Sequence, residues 1–247
     1  MAYTKKLVAF VDLLGFKEVS SNTNEKNATH NILSTNHQIV DILQNVTDSK
    51  ELRNNDQRNN DDNDFVIQTF SDSIFFAYPE DKLYKLLCDL SIISLSIASK
   101  GFFLRGGVAF GDIYARNNEN YFYGPALIEA YKAESKTAVY PRIIMDISVM
   151  DLISSIDLDP KIYQNNLLIK DFDEETFINF LTTSNINSNR DSISTIKKCI
   201  SDKLKENLKK PRVLLKYIWL LNYFNNYGAS NKQNRIKLNL PQKNLND

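Results

Sequence analysis

Apolar runs separated by short polar turns predict a series of β-strands in the N-terminal part of the chain. Leu7–Val11 is a continuous apolar run that ends at Asp12, which is typical of a buried strand leading into a turn. Residues 65–68 and 74–77 form two more apolar runs, and the polar Ser-Asp-Ser sequence between them predicts a hairpin with Asp72 at its tip. Further strands are predicted over residues 102–110, 121–123 and 143–145.

Helical periodicity appears between these strand segments. Apolar residues repeat at helical spacing after the hairpin, which predicts an amphipathic helix packed on a sheet: Leu83, Leu86, Leu87, Leu90, Ile93 and Ile97. Another helix is predicted over residues 16–43, and a third begins at Gly124-Pro125, because proline is well tolerated in a first helical turn. This order of elements predicts an α+β sandwich, a mainly antiparallel sheet with helices on one face.

The chain changes character at two places. Residues 47–64 are rich in Asn and Asp and have almost nothing to bury, so we interpret them as a mobile loop. After about residue 150 the strand pattern gives way to two helical stripes. We therefore predict one domain over residues 1–150 and a C-terminal helical extension over residues 151–247.

Composition narrows the classes of function. Thirty basic and thirty acidic side chains cancel, and the basic segment 197–216 carries its charges off the apolar stripe, which favours a solvated helix surface over a nucleic-acid face. The two cysteines are too few for a disulfide framework. Together with the two histidines, they also make a zinc site or histidine-based catalysis an unfavoured interpretation. No apolar run approaches the roughly 20 residues of a membrane span, and no signal-peptide pattern precedes the first strand. We expect a cytoplasmic protein without a membrane partner.

Asp12 and Asp72 are the chemically most informative pair. Adjacent strand ends can bring two such carboxylates within reach of a pair of Mg²⁺ or Mn²⁺ ions, which also take oxygens from substrate phosphates. Backbone N–H groups after Asp12, through Gly15 and Phe16 into a helix start, predict an anion-binding concavity suited to a triphosphate. The alternative is that Asp12 caps the helix and Asp72 is an ordinary turn residue.

Four sequence motifs, in this order, resemble those of class III nucleotidyl cyclases. They are FVDLLGF, FSDS, RGGVAFG and GPALIEAYKAE, beginning at residues 10, 70, 105 and 124. The resemblance covers residues 8–146 and is closest to the pyrimidine cyclases of bacterial Pycsar antiphage systems. It implies that residues 1–150 form a nucleotide cyclase domain, which transfers the 3′-oxygen of a nucleoside triphosphate onto its own α-phosphorus and releases pyrophosphate.

The resemblance also implies roles for individual residues. Asp12 and Asp72 match the two metal-binding aspartates, which hold two Mg²⁺ or Mn²⁺ ions in that family. Gln68 and Tyr121 match the positions that read the base. The purine enzymes usually have Lys or Glu at the first of these positions and Asp or Cys at the second. Their absence here favours a pyrimidine substrate, UTP before CTP. Lys132 occupies the position of a catalytic arginine and can supply positive charge, without arginine's planar fork.

Four further positions complete the interpretation. Ile128 stands where the family has an asparagine that orients the ribose, and an isoleucine cannot replace that amide. Ser71 belongs to the same motif as Asp72 and is included among the substrate-binding residues. Arg142 is a candidate second phosphate ligand, with a surface ion pair as the alternative. Arg105 is expected to have a structural part, pinning the strand that it opens.

The family organisation implies partners as well. Its members form dimers in which each chain lends metals to one site and positive charge to the other, so we expect a homodimer with composite active sites. A downstream effector that responds to the cyclic nucleotide, and a role in antiphage defence, are implied by the resemblance alone. The alternatives are an adenylate or guanylate cyclase and a catalytically silent nucleotide-sensing module.

Overall fold

A computed structural model describes residues 2–14, 66–70, 72–116, 121–155, 162, 165–188, 190–229 and 235–237. The predicted helix over 16–43 and the predicted loop over 47–64 lie outside these residues. Three of the predicted substrate-binding residues also lie outside them, namely Gly15, Phe16 and Ser71.

A seven-stranded sheet organises the described part of the chain. Its strands are β1 (Thr4–Leu14), β2 (Val66–Phe70), β3 (Ser73–Pro79), β4 (Phe103–Ile113), β5 (Ile143–Met145), β6 (Leu168–Lys170) and β7 (Thr176–Ile178). They lie in the order β2-β3-β1-β4-β5-β7-β6, and neighbours are antiparallel except for the parallel pair β4 and β5. The predicted α+β class and the mainly antiparallel sheet are confirmed.

Helices follow the strands at the positions where apolar periodicity changes. They are α1 (Leu83–Ala98), α2 (Pro125–Lys132), α3 (Ile147–Ser155), α4 (Thr183–Ser188), α5 (Arg190–Glu206) and α6 (Pro211–Tyr223). Helices α2 and α6 continue into π-helical turns over Ala133–Thr137 and Phe224–Gly228. No helix in the described ranges combines the length and the apolar character needed to cross a membrane.

Strand β1 is buried on both faces, and this decides where the helices lie. Consecutive residues Leu7, Val8 and Ala9 are each 0% exposed. The Leu7 face packs in one core with α1 and α3, whereas Val8 packs in another core with α2. The predicted arrangement with all helices on one face is therefore corrected, because a strand that is apolar at consecutive positions needs cover on both sides.

The segment after residue 150 contributes to the same sheet as the segment before it. Strands β6 and β7 pair with each other, and β7 pairs with β5 at its edge. Helices α5 and α6 form a third core with the end of α1 and with β7. The predicted helical character of residues 151–247 thus needs the addition of two strands. Each has only three residues, which is too short for a clear period-two pattern.

Candidate active site

Asp12 and Asp72 lie together where β1 ends. Asp12 is opposite Ser73, the first residue of β3, and Asp72 lies in the turn just before it. The backbone N–H of Leu13 donates to the Asp72 carbonyl oxygen at 3.0 Å, and the Ser73 hydroxyl donates to Asp12 Oδ1 at 3.4 Å. Because β2 pairs antiparallel with β3 around this turn, the predicted hairpin with Asp72 at its tip is confirmed.

The surroundings of Asp12 disfavour its negative charge. Burial, followed by the charges of Asp72 and Glu134, raises the pKa of Asp12 to about 6, against the opposing effects of Arg105 and the Ser73 hydrogen bond. A divalent cation between the carboxylates relieves this repulsion, since carboxylate oxygens are the hard ligands that Mg²⁺ and Mn²⁺ prefer. The electrostatics of the pair therefore fit a cation.

The number of ligands indicates what kind of metal site this is. Among the residues that the structure describes, no three His, Cys, Asp or Glu side chains are arranged to hold a metal ion. One or two carboxylates are the usual protein share of a Mg²⁺ site that completes its coordination with substrate phosphates and water. Asp12 and Asp72 thus fit a site for a metal–nucleotide complex better than a closed protein cage.

The raised pKa of Asp12 predicts a pH-dependent stability. Because the pKa in the folded protein lies above the ordinary value of 3.8, the destabilisation of the metal-free fold by ionised Asp12 is complete above about pH 6 and disappears as the pH falls from about 6 to 3.8. Asp12→Asn is expected to raise the free energy of unfolding by about 1 to 3 kcal/mol at pH 7 and to change it much less at pH 4.5. Chemical denaturation at both pH values measures this, with the exposed Asp112→Asn as control; equal gains at both pH values would contradict it.

Arg105 and Glu134 are two charged residues of this site that the sequence interpretation did not place there. Arg105 is the cross-strand partner of Asp12 in β4, with its Nη2 atom 4.0 Å from Asp12 Oδ2. The same Nη2 atom makes a direct ion pair with Glu134, whose side chain is only 4% exposed. The cross-strand register of β1 and β4 was the information needed to find Arg105, and the sequence alone did not supply it.

Gly107 explains how Glu134 reaches Arg105. A Cβ atom at Gly107 would lie 2.4 Å from the Ala133 Cβ and 2.5 Å from the Ala130 carbonyl oxygen. Only glycine therefore lets the end of α2 approach β4 so closely. This contact places the π-helical turn, and Glu134 within it, against the strand that carries Arg105.

Gln68 lies on the same face of the sheet as the carboxylate pair. It is opposite Phe75, which is opposite Phe10, and Phe10 is two residues before Asp12. Directly paired residues and residues two apart share a face. The predicted base-reading residue Gln68 and the predicted metal ligand Asp12 thus face the same side, which is the side covered by α2.

Two further predicted site residues lie on the outer surface of α2. Ile128 is 54% exposed, and the Lys132 ammonium donates to Glu129 Oε1 at 2.7 Å in an exposed ion pair. Exposed ion pairs one helical turn apart are weak, so Lys132 can exchange Glu129 for an anionic ligand. Both residues are presented outward from the sheet and from the core beneath α2.

Tyr121 lies at the opposite end of the sheet from Asp12. Its ring stacks against Tyr114 and Tyr123 with centroids 5.8 and 6.5 Å away, and Tyr114 directly follows β4. Within β4, Arg105 is opposite Asp12 and Ile113 is opposite Thr4, and these two residues of β4 are roughly 26 Å apart at the rise of an antiparallel strand. One nucleotide bound at Asp12 cannot also reach Tyr121 of the same chain.

Arg142 has a different role from the predicted one. Its side chain is fully buried, with 0% exposure, and it pairs with Asp171 and Asp173. Burial opposes the ionised form of Asp173, yet the hydrogen bonds and charge of Arg142 hold its pKa below the ordinary value. The guanidinium also lies over the ring of Trp219, whose N–H donates to Asp171. Arg142 therefore joins β5 to the C-terminal helices and is not available as a phosphate ligand, because its charge is already balanced inside the protein.

Known proteins resemble this chain in structure and not measurably in sequence. No protein-family model and no curated protein matches it significantly. Similar solved structures include a bacterial light-regulated adenylyl cyclase, with a TM-score of 0.46, 10% identity, and coverage of 81% of this chain and 100% of that one. The guanylyl cyclase domain of the RhoGC fusion protein from the aquatic fungus Blastocladiella emersonii gives a TM-score of 0.44, 14% identity, and coverage of 72% and 95%. A class III adenylyl cyclase-like ATP-binding protein from Pseudomonas aeruginosa gives 0.45, 11%, and coverage of 78% and 40%. At these identities and TM-scores, the similarity does not define what this chain does.

Proposed function

We propose that this chain is a nucleotide cyclase, a phosphorus–oxygen lyase that converts UTP or CTP to the 3′,5′-cyclic monophosphate and pyrophosphate with Mg²⁺ or Mn²⁺. The observation that carries the proposal is the meeting of Asp12 and Asp72 at adjacent strand ends, in surroundings that raise the pKa of Asp12. Two neighbouring carboxylates that repel each other are suited to a cation and, through it, to the phosphates of a nucleotide.

The reaction forms one bond from O3′ to the α-phosphorus and breaks one bond from that phosphorus to the pyrophosphate oxygen, and the proton of the 3′-hydroxyl passes to the solvent. Bound divalent ions supply charge neutralisation to the triphosphate and to the attacking oxygen. Asp12 and Asp72 hold those ions and fix where the phosphates lie. Lys132 supplies a positive charge to the phosphorus as negative charge develops on its oxygens. Ile128 offers the ribose an apolar contact.

The positions of these residues support a homodimer with two composite sites. Asp12 and Tyr121 lie at opposite ends of the sheet, so a single chain cannot present both to one nucleotide. A second chain in a two-fold arrangement brings its own opposite end to each site. We therefore propose that Asp12 and Asp72 of one chain act with Lys132, Ile128 and Tyr121 of the other.

Base selection is assigned to Gln68 and Tyr121. The amide of Gln68 presents both a donor and an acceptor, which match the N3–H and a carbonyl of uracil, and which match cytosine after an amide flip. Tyr121 is 48% exposed in the single chain, so its ring is accessible to a ligand. A tyrosine at this position fills the volume that the second ring of a purine would need and stacks on a pyrimidine.

Tyr121→Ala is expected to lower the kcat/KM for UTP and CTP at least tenfold and to raise turnover of ATP or GTP relative to them. The reason is the loss of the stacking surface and the space that opens for a second ring. Tyr123→Ala is a matched control, because Tyr123 belongs to the same aromatic stack and has no proposed contact with the base. Unchanged selectivity in Tyr121→Ala, or an equal change in Tyr123→Ala, would contradict this assignment.

A nucleotide-sensing module without turnover is the second candidate. The exposed Ile128 favours it, because an isoleucine cannot orient the ribose by hydrogen bonding. The presence of both carboxylates, Asp12 and Asp72, favours a catalytically active cyclase over a sensing module. As part of the proposal, the cyclic product acts in the cytoplasm as a second messenger for an effector in antiphage defence, a role supported only by the sequence resemblance.

A further inference from the structure

The guanidinium of Arg105 lies between two carboxylates and is in direct contact with only one of them. Its Nη2 atom pairs directly with Glu134 and remains 4.0 Å from Asp12 Oδ2. Glu134 is more deeply buried than Asp12, with side-chain exposures of 4% and 24%. Charge attraction is stronger where less water screens it, so the deeper carboxylate holds the guanidinium.

This arrangement matters because an arginine and a metal ion compete for the same oxygens. An arginine paired directly with a carboxylate makes strong, often bidentate hydrogen bonds. In Asp12 paired in this way, the guanidinium would balance the negative charge and occupy lone pairs that a metal ion needs. The Nε–H of Arg105 is buried without an acceptor among the described residues, so this guanidinium retains unused donor capacity beside Asp12.

We infer that Glu134 is a positioning residue that holds Arg105 away from Asp12 and thereby keeps Asp12 free to bind a cation. The inference rests on the proposed metal-binding role of Asp12. Glu134 itself is not a ligand in this account, because no three carboxylates, histidines or cysteines in the described ranges are arranged around one metal position.

The backbone supports the same role. Gly107 lets the π-helical turn over Ala133–Thr137 pack directly on β4. This close backbone contact places Glu134 next to Arg105. The cross-strand register fixes Arg105 opposite Asp12. The backbone positions of Asp12 and Glu134 are therefore fixed, and the long side chain of Arg105 lies between their carboxylates.

Binding of Mn²⁺ alone, without nucleotide, tests the inference. The signal of free Mn²⁺ in electron paramagnetic resonance falls as the ion binds, which gives a dissociation constant for each variant. Glu134→Gln is expected to weaken Mn²⁺ binding at least tenfold, because Arg105 then pairs with Asp12. Glu134→Asp, which keeps the charge, should stay within about threefold of wild type, and so should Glu129→Gln, which removes an exposed charge from α2.

Removal of Arg105 separates direct competition from a general loss of negative charge. In an Arg105→Gln background, adding Glu134→Gln should change Mn²⁺ affinity less than threefold, because no guanidinium remains to occupy Asp12. An equal loss with and without Arg105 would overturn the inference. Should Arg105→Gln not fold, the Glu134→Gln deficit is measured from 0.05 to 0.5 M NaCl. A loss of Mn²⁺ affinity that persists at 0.5 M NaCl supports direct pairing of Arg105 with Asp12. A loss that vanishes at high salt overturns the inference.

The outcomes also separate this inference from the proposed function. Failure of the wild-type protein to bind Mn²⁺ would overturn the positioning role, which requires a cation at Asp12 in the nucleotide-free site, whereas the proposed function is tested separately by turnover of nucleotide. Binding by wild type together with full binding by Glu134→Gln would overturn the positioning role alone. Circular dichroism and thermal unfolding of each variant establish that the comparison is between folded proteins.

Discussion

Asp72→Asn is expected to abolish cyclic nucleotide formation, with a loss of at least a thousandfold in kcat/KM. Asparagine keeps the size of the side chain and removes the charge that holds the cation. The turn should survive, because it is the backbone carbonyl of Asp72 that accepts the hydrogen bond from Leu13. Asp12→Asn is expected to have the same effect on turnover.

The controls for this prediction are a folding measurement and a matched aspartate. Thermal unfolding should show that both variants keep the wild-type fold. Asp112→Asn removes an exposed carboxylate from the other end of β4 and should retain at least half of the activity. Turnover by Asp72→Asn at anything near the wild-type rate would contradict the two-metal assignment.

Complementation between two inactive chains is the second large effect that we expect. Asp12→Ala and Lys132→Ala should each be inactive alone. In a heterodimer one composite site contains both substitutions and the other contains neither. After random subunit exchange of an equal mixture, half of the dimers are heterodimers, and each heterodimer has one intact site out of two. About a quarter of the wild-type activity should therefore return.

A matched mixture makes this result specific. Asp12→Ala mixed with Asp72→Ala should regain nothing, because both substitutions affect the metal half of a site and every site in the mixture keeps one defect. Subunit exchange is verified by tagging one chain and recovering the other with it. Full activity in a strictly monomeric species, or no recovery after verified exchange, would contradict the composite site.

Local sequence patterns predicted the part of the site that depends on neighbouring residues. The Ser-Asp-Ser sequence between two apolar runs placed Asp72 at a hairpin tip, and the apolar run before Asp12 placed it at the end of a strand. These features follow from continuous apolar runs and from the short polar segments that end them. The meeting of the two aspartates depends in addition on the pairing of β1 with β3, which places Asp12 opposite Ser73.

Contacts between segments that are far apart in sequence could not be predicted from the local pattern of apolar and polar residues. The Arg105–Glu134 pair requires β1 beside β4 and α2 docked on Gly107. The burial of Arg142 requires acidic partners 29 and 31 residues later in the chain. The sequence showed charged residues in these segments without showing which charges would meet.

The helix that begins at Pro125 was predicted, but its place on the second face of the sheet was not, for a related reason. Leu7–Val11 was correctly interpreted as a buried strand, and burial on both faces already required cover on both sides. The sequence pattern of α2 did not show which face of the sheet this helix covers, because its buried residues are only Ala126 and Ala130. Small side chains pack closely and leave a weak apolar stripe.

Turnover of the four ribonucleoside triphosphates tests the central proposal most directly. Purified wild-type protein is incubated with UTP, CTP, ATP and GTP at equal concentration with Mn²⁺ or Mg²⁺, and the products are separated and identified by mass. We predict 3′,5′-cyclic UMP or cyclic CMP, formed in equal amount with pyrophosphate and faster than any purine product. Faster cyclisation of ATP or GTP would contradict the pyrimidine assignment, and no cyclic product from any of the four would contradict the cyclase itself.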